Sequence, residues 1–278
     1  MKIARFSTEG DPRYGIVDGD DLVVLSGDPM FSGFDTTGER VALDGVKLLA
    51  PVIPRSKVVC VGLNYRDSAP VESADSDSAG SPKAEEGDEA DVTAAPDGGP
   101  ATPLLFLKPN TAIVGPGDTI QIPPVEGRVV HEGELAIVIG RVAKQVKAAD
   151  YADYVFGYTI ANDVSARDVM FSDGQWARAK GYDTFCPIGP VIETELDISA
   201  LEIQTYVDGE PRRNGNTRDM IHSIPEIIAF ASDVWTLLPG DIILTGTPAG
   251  LGGFVDGQTI DITIEGIGTL SNPARNRG

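Results

Sequence analysis

Apolar residues in this chain come in short runs that stop at glycine, proline or aspartate, and that pattern constrains the fold more than any other feature. Lys57-Val58-Val59-Cys60-Val61-Gly62, Leu104 to Lys108, Glu134 to Gly140, Tyr158 to Ala161, Ile203 to Val207, Asp241 to Leu244 and Thr259 to Ile264 all have strand length. Only two segments read as helix: a short one over Ala148 to Tyr154 and an amphipathic one over Ser223 to Thr236. Strands that do not alternate regularly with helices argue against a doubly wound parallel sheet. The expected class is mainly β with a few helices (α+β).

The first residues alternate as Lys2 to Phe6, Arg13 to Val17 and Asp21 to Leu25, with a hairpin turn at Asp18-Gly19. They predict a small β-rich N-terminal domain over 1–54, closed by Ala50-Pro51-Val52-Ile53-Pro54, and a main domain over 55–278. Residues 67–101 differ in kind. Ten of 35 positions are Asp or Glu, Lys83 is the one cation, and Val71 and Val92 are the only aliphatics beyond alanine. Such a segment buries too little to offset its ordering entropy, so a disordered insert or mobile lid is expected.

Net charge is −20, from 42 acidic and 22 basic side chains. A polyanion or an anionic membrane would be repelled, which excludes nucleic acid and membrane as expected partners. Met1-Lys2-Ile3-Ala4-Arg5 leads into no signal-like apolar core, so a cytoplasmic location is expected. Cys60 and Cys186 read as core fillers rather than a disulfide or zinc framework. Asp outnumbers Glu by 27 to 15 while Lys falls to 8, a surface suited to a halophilic, salt-rich cytoplasm. The melting temperature is therefore expected to rise with added KCl; a fall would contradict that reading.

In His131-Glu132-Gly133-Glu134 two carboxylates at i and i+2 precede an apolar strand, so on extended backbone they share a face. Alone, the pair fits a solvated strand more readily than a site for a hard cation such as Mg²⁺, Mn²⁺ or Ca²⁺. Asp163, where the apolar strand ends in Asn162-Asp163-Val164-Ser165-Ala166-Arg167-Asp168, could complete such a set. Lys180 lies in a Gly-containing turn, and Leu244-Thr245-Gly246-Thr247-Pro248 offers backbone N–H groups to an anion. By strand alternation His131 points away from Glu132; His222, Trp176 and Trp235 read as structural.

Taken together and in this order, Val61-Gly62-Leu63-Asn64-Tyr65, Leu105-Phe106-Leu107-Lys108-Pro109, Glu132-Gly133-Glu134, Asn162 to Asp168, Lys180 with Asp183-Thr184-Phe185, and Leu244 to Pro248 resemble the fumarylacetoacetate hydrolase family over roughly residues 55–272. The resemblance implies a mixed β-roll catalytic domain, a homodimer, and a divalent cation held by Glu132, Glu134 and Asp163. It also implies that Lys180 stabilises an enolate and that Thr247 with Gly246 holds a substrate carboxylate. Arg167 could bind a distal carboxylate or neutralise the ligand cluster.

Two departures from the family pattern matter. Ser68 and Val71 stand where many family hydrolases carry a water-activating His and Glu, with Glu72 one residue late, and Met170 replaces a frequent Gln. These changes spare the cation site and remove groups associated with water attack. The expected function is thus a metal-dependent isomerase or decarboxylase of 2-hydroxyhepta-2,4-diene-1,7-dioate or oxaloacetate type, with a place in aromatic-compound catabolism implied by the resemblance. Three alternatives stand beside it: an acylpyruvate-type C–C hydrolase, a non-catalytic relative binding a partner through the acidic insert, and a structural Ca²⁺ site.

Overall fold

The computed structural model describes residues 1–8, 10–66, 99–248, 250 and 252–278. The insert expected to be disordered or lid-forming lies outside the described residues except at its end, 99–101. The chain opens with β1 (Lys2–Ser7), β2 (Arg13–Asp18), β3 (Asp21–Leu25), the helical turn α1 (Pro29–Ser32), β4 (Thr36–Ala42) and β5 (Lys47–Leu49). Strands β2 and β3 pair as far as Asp18 opposite Asp21, which leaves Gly19 and Asp20 as the hairpin loop. Gly19 takes a φ of 63°, the left-handed conformation that such a tight hairpin demands.

Next come β6 (Val58–Gly62), β7 (Leu104–Lys108), β8 (Ile113–Val114), β9 (Ile120–Ile122), β10 (Val129–His131) and β11 (Gly133–Ile139). They are followed by β12 (Val155–Asn162), β13 (Ser165–Ala166), α2 (Arg167–Asp173), α3 (Ala177–Lys180) and β14 (Cys186–Glu193). The last elements are β15 (Glu202–Val207), β16 (Glu210–Asn216), α4 (Ile224–Val234), β17 (Ile242–Leu244), β18 (Gly252–Gly253), β19 (Thr259–Ile264) and β20 (Gly268–Asn276). Ala148–Tyr154 forms a 3-10 helix.

The main sheet has 12 strands, running β4-β3-β2-β1-β14-β12-β11-β17-β6-β7 with β5 on β1 and β8 on β14. Its N-terminal strands continue into the later ones through β1, where Ile3 pairs with Ile192 of β14. A second sheet, β16-β15-β19-β20-β9, packs against it, and β13-β10-β18 forms a small third. Most neighbours are antiparallel, but β6 on β17, β8 on β14 and β9 on β20 are parallel, so the architecture is mixed.

Strand β11 shows why its sequence is apolar throughout. Leu135, Ile137 and Ile139 enter one core, shared with Ile203, Ile262 and Leu270 of the second sheet, while Ala136 and Val138 enter another with Ala161, Ile188 and Leu244. A strand covered on both faces loses the alternation of a half-exposed one. Helix α4 lays Ile224, Ile227, Ile228 and Ala231 on the first core, and Ser223 caps it by donating its N–H and hydroxyl to Glu226 at 2.8 and 2.7 Å. It ends at Val234, earlier than its pattern suggests, because Trp235 turns to extended backbone and packs against the core.

Cys60 and Cys186 are free and buried in the second core. Burial pushes the Cys186 thiol up to about 12, so it stays protonated and inert. No helix among the described residues is long and apolar enough to cross a membrane.

Asp241 pins the parallel β6–β17 pair. Fully buried, it accepts from the Ser56 N–H and hydroxyl, the Lys57 N–H and ammonium, and the Leu238 N–H. Burial alone would raise its pKa; the donors more than offset this and hold it below the usual carboxylate value. Its contribution is therefore present above that value and fades as pH falls through the lower folded-state one. Asp241→Ala should cost about 3–5 kcal/mol at pH 7, because it removes a buried carboxylate and leaves the half-buried Lys57 and four further donors without their acceptor. Urea unfolding reads this directly, and a loss below about 1 kcal/mol would contradict it.

Candidate active site

Glu132 sits in the one-residue step between β10 and β11, and Glu134 is the second residue of β11. Asp163 follows the end of β12, the neighbour of β11, and its N–H donates to the Glu132 carbonyl at 2.8 Å. Sheet pairing thus turns residues thirty positions apart in sequence into neighbours. Ligand oxygens of Glu132, Glu134 and Asp163 lie within 4.8 Å of one another, and all three residues are buried. Gly133 between the glutamates has no room for a Cβ, since Thr205 and Ile262 of the second sheet would stand 2.9 Å from it. The glycine lets that sheet close over the cluster.

Each carboxylate has its own support. Glu132 accepts from the Ser165 hydroxyl at 3.1 Å and from Lys180 Nζ at 2.7 Å. Asp163 accepts from Lys180 at 2.7 Å and from Lys108 Nζ at 2.6 Å, while Lys108 also donates to the Val164 carbonyl. Glu134 accepts the Gly246 N–H at 2.7 Å. Gly246 adopts a φ of 93°, and a Cβ there would meet Asn64 at 2.8 Å, so glycine is required to bring that N–H in.

The electrostatics follow from this wiring. Burial would lower the Lys180 pKa, but Asp163 and Glu132 raise it above the ordinary lysine value, so the ammonium is firmly charged. Burial would raise Asp163; Lys108 and Lys180 bring it below normal. Glu134 goes the other way, pushed well up by burial and then by the negative charges of Asp163 and Glu132. Crowded, buried, oxygen-only donors, one of them with no hydrogen-bonded cation among the described residues, suit a hard divalent ion.

The structure therefore brings together Glu132, Glu134, Asp163, Lys180 and Gly246. Thr247 is tied to the same place, donating to the Gly133 carbonyl at 3.0 Å and accepting from Arg213 Nη1. Arg167 stands apart, half-exposed at the start of α2 with its guanidinium 5.3 Å from the Phe171 ring. His131 is buried outside the carboxylate cluster, its ring against Gly252, and burial with Arg213 and Arg212 holds its pKa down at about 4. His222 is structural, its Nε2 2.9 Å from the Pro100 carbonyl and its backbone exchanging hydrogen bonds with Asn64. Ser68, Val71 and Glu72 lie outside the described residues.

Lys108, Tyr65 and Arg213 also border the cluster, and no sequence feature marked a role for them. Lys108 closes an apolar strand, and a lysine there that is 1% exposed needs a buried anion. Arg213 sits in the polar stretch Glu210-Pro211-Arg212-Arg213-Asn214, which has no apolar rhythm. Only its register opposite Thr205, between the inward Ile203 and Val207, marks it as facing the interior.

A family model described as fumarylacetoacetate (FAA) hydrolase C-terminal matches residues 57–275. The chain belongs to the fumarylacetoacetate hydrolase family. A second model, described as Rv2993c-like, N-terminal, matches residues 1–51, so an N-terminal domain precedes the family's catalytic domain. A solved 5-carboxymethyl-2-hydroxymuconate delta-isomerase from Mycobacterium smegmatis is 43% identical with a TM-score of 0.85, covering all of both chains. Oxaloacetate tautomerase YisK of Bacillus subtilis is 42% identical over 83% of this chain and 74% of its own length. A maleylpyruvate hydrolase from Sphingobium sp. SYK-6, solved with manganese(II) and pyruvate, is 31% identical with a TM-score of 0.76 over all of both chains. Isomerases, tautomerases and hydrolases thus share this fold and family.

Proposed function

We propose that the chain is a divalent-cation-dependent enzyme that enolises 2-oxo or 2-hydroxydienoic dicarboxylates, acting as an isomerase or tautomerase of the 2-hydroxyhepta-2,4-diene-1,7-dioate or oxaloacetate kind. The observation that carries this reading is the buried Glu132–Glu134–Asp163 triad with the Lys180 ammonium bridging two of its members. The three carboxylates would hold Mg²⁺ or Mn²⁺, which supplies Lewis-acid polarisation of a 2-oxo group and a template for the adjoining carboxylate.

The chain's own groups do the rest. Lys180, 3% exposed, presents a fixed positive charge to the oxygen on which an enolate's negative charge develops. Its low exposure makes that interaction stronger than it would be in water. Lys108 fixes Asp163 from the other side, and the Gly246 N–H fixes Glu134, so little reorganisation accompanies charge development. Phe106, 5.1 Å below the Lys180 ammonium, and Trp176, edge-on to Phe106, wall that side with apolar surface.

Enolisation is favoured over hydrolysis by the histidine inventory. The chain has only two histidines. His131 lies outside the cluster and His222 is engaged with Pro100, so neither is placed to activate water there. The test is the keto–enol interconversion of oxaloacetate, followed by ultraviolet absorbance with Mg²⁺ and with EDTA. Acceleration above the enzyme-free rate with Mg²⁺ and its loss in EDTA are expected; equal rates with and without the protein would contradict the proposal for this substrate.

A further inference from the structure

Two donors expected to hold a substrate carboxylate are already spent within the protein. The Gly246 N–H goes to Glu134, and the Thr247 hydroxyl donates to Gly133 while accepting from Arg213. What remains unspent beside them is Arg213. Its residue is 6% exposed, its Nε donates to the Gly250 carbonyl at 3.1 Å and its Nη1 to Thr247, but its Nη2 has no partner among the described residues. The Tyr65 hydroxyl, in a residue 2% exposed, is also without a partner. Arg213 reaches the triad through Thr247, whose hydroxyl donates to the carbonyl of Gly133 between the two glutamates, and Asn64, next to Tyr65 in the chain, packs against Gly246, so both stranded donors border the triad.

Buried donors of this kind cost stability unless something accepts from them. A free, charged guanidinium Nη2 with a phenol hydroxyl near it suits an acceptor-only anionic group, and a carboxylate supplies one. The charge balance points the same way. With every group ionised, the three triad carboxylates are matched by Lys108, Lys180 and Arg213. A divalent cation would leave the set at plus two, and a dianion would restore neutrality.

We propose that Arg213, assisted by Tyr65, is the carboxylate anchor of this site and selects dianionic substrates. The inference rests on the proposed cation-dependent reading. Arg213 binds through Nη2 while Nη1 holds Thr247 in place, so one side chain both recognises the anion and orients its neighbour.

The test measures oxalate binding by calorimetry, with Mg²⁺ present, to the full chain and to Arg213→Gln, Arg213→Lys and Tyr65→Phe, alongside the thermal shift produced by Mg²⁺ alone. Arg213→Gln should weaken oxalate about 10- to 100-fold, the size of a lost charge-assisted hydrogen bond or two. Arg213→Lys should recover part of that loss, and Tyr65→Phe should weaken binding several-fold. All three should keep the Mg²⁺ shift, because the triad is untouched. Oxalate affinity within about threefold of the parent in Arg213→Gln would overturn the proposal, as would equal losses in the Gln and Lys variants; the threefold limit sits well below one charge-assisted bond. Absence of a Mg²⁺ shift in the parent chain would count against the cation reading alone. Arg213 is then judged by the same comparison in EDTA, where the same loss with Gln supports it and no loss overturns it.

Discussion

Lys180→Met should lower kcat/KM for enolisation by about 10²–10³-fold, the loss typical of removing one preorganised donor from a developing oxyanion. The methionine fills most of the lysine's volume, so packing against Phe106 survives while the charge does not. Divalent-cation affinity should hold or tighten, because the ammonium now shared by Glu132 and Asp163 no longer competes for their oxygens. Calorimetric titration with Mg²⁺ beside steady-state kinetics separates the two effects. Unchanged turnover, or affinity and turnover falling together, would show that Lys180 is part of the scaffold rather than of the chemistry.

Among the site residues, Asp163→Asn carries the largest expected stability change. Asp163 is fully buried and holds Lys108 from one oxygen and Lys180 from the other. Lys180 retains Glu132 after the substitution, but Lys108 keeps only the Val164 carbonyl and a neutral amide. Breaking a buried pair on one side costs about 3–5 kcal/mol, chiefly through the charge left behind. At about 2–4 °C per kcal/mol for a chain approaching this size, the melting temperature should fall by roughly 6–20 °C. The Mg²⁺-induced thermal shift should vanish with it. A variant that melts within a degree of the parent would mean that Lys108 does not depend on Asp163 for its burial.

Much of this site was legible in the sequence because its parts lie on ordinary strand rules. Glu132 and Glu134 share a face by the two-residue period of extended chain, and Asp163 stands where an apolar strand runs out. The strand over Thr259–Ile264 and the hairpin at Gly19 were equally plain, since alternation and turn chemistry are local. What was not legible depends on partners distant in sequence. Thr247 is expected to hold a substrate carboxylate until Arg213 and Gly133 are seen against its hydroxyl. Arg213 reads as a surface residue until its register opposite Thr205 turns it inward. Arg167, four residues past Asp163, reads as a neighbour of the cluster until α2 carries it outward to Phe171. The continuity of the N-terminal strands with the main sheet is likewise set by β1 meeting β14, a pairing that no local pattern encodes.

On the proposed function, the site makes an enolate with a divalent cation and does not deliver water. Proton NMR of acetylpyruvate with the purified protein in D₂O and high KCl, with and without Mg²⁺, tests it most directly. Mg²⁺-dependent deuterium exchange at C3 above the enzyme-free background, with no cleavage, is expected. Appearance of acetate and pyruvate would contradict it in favour of a hydrolase, and exchange that persists undiminished in EDTA would contradict the role given to Glu132, Glu134 and Asp163.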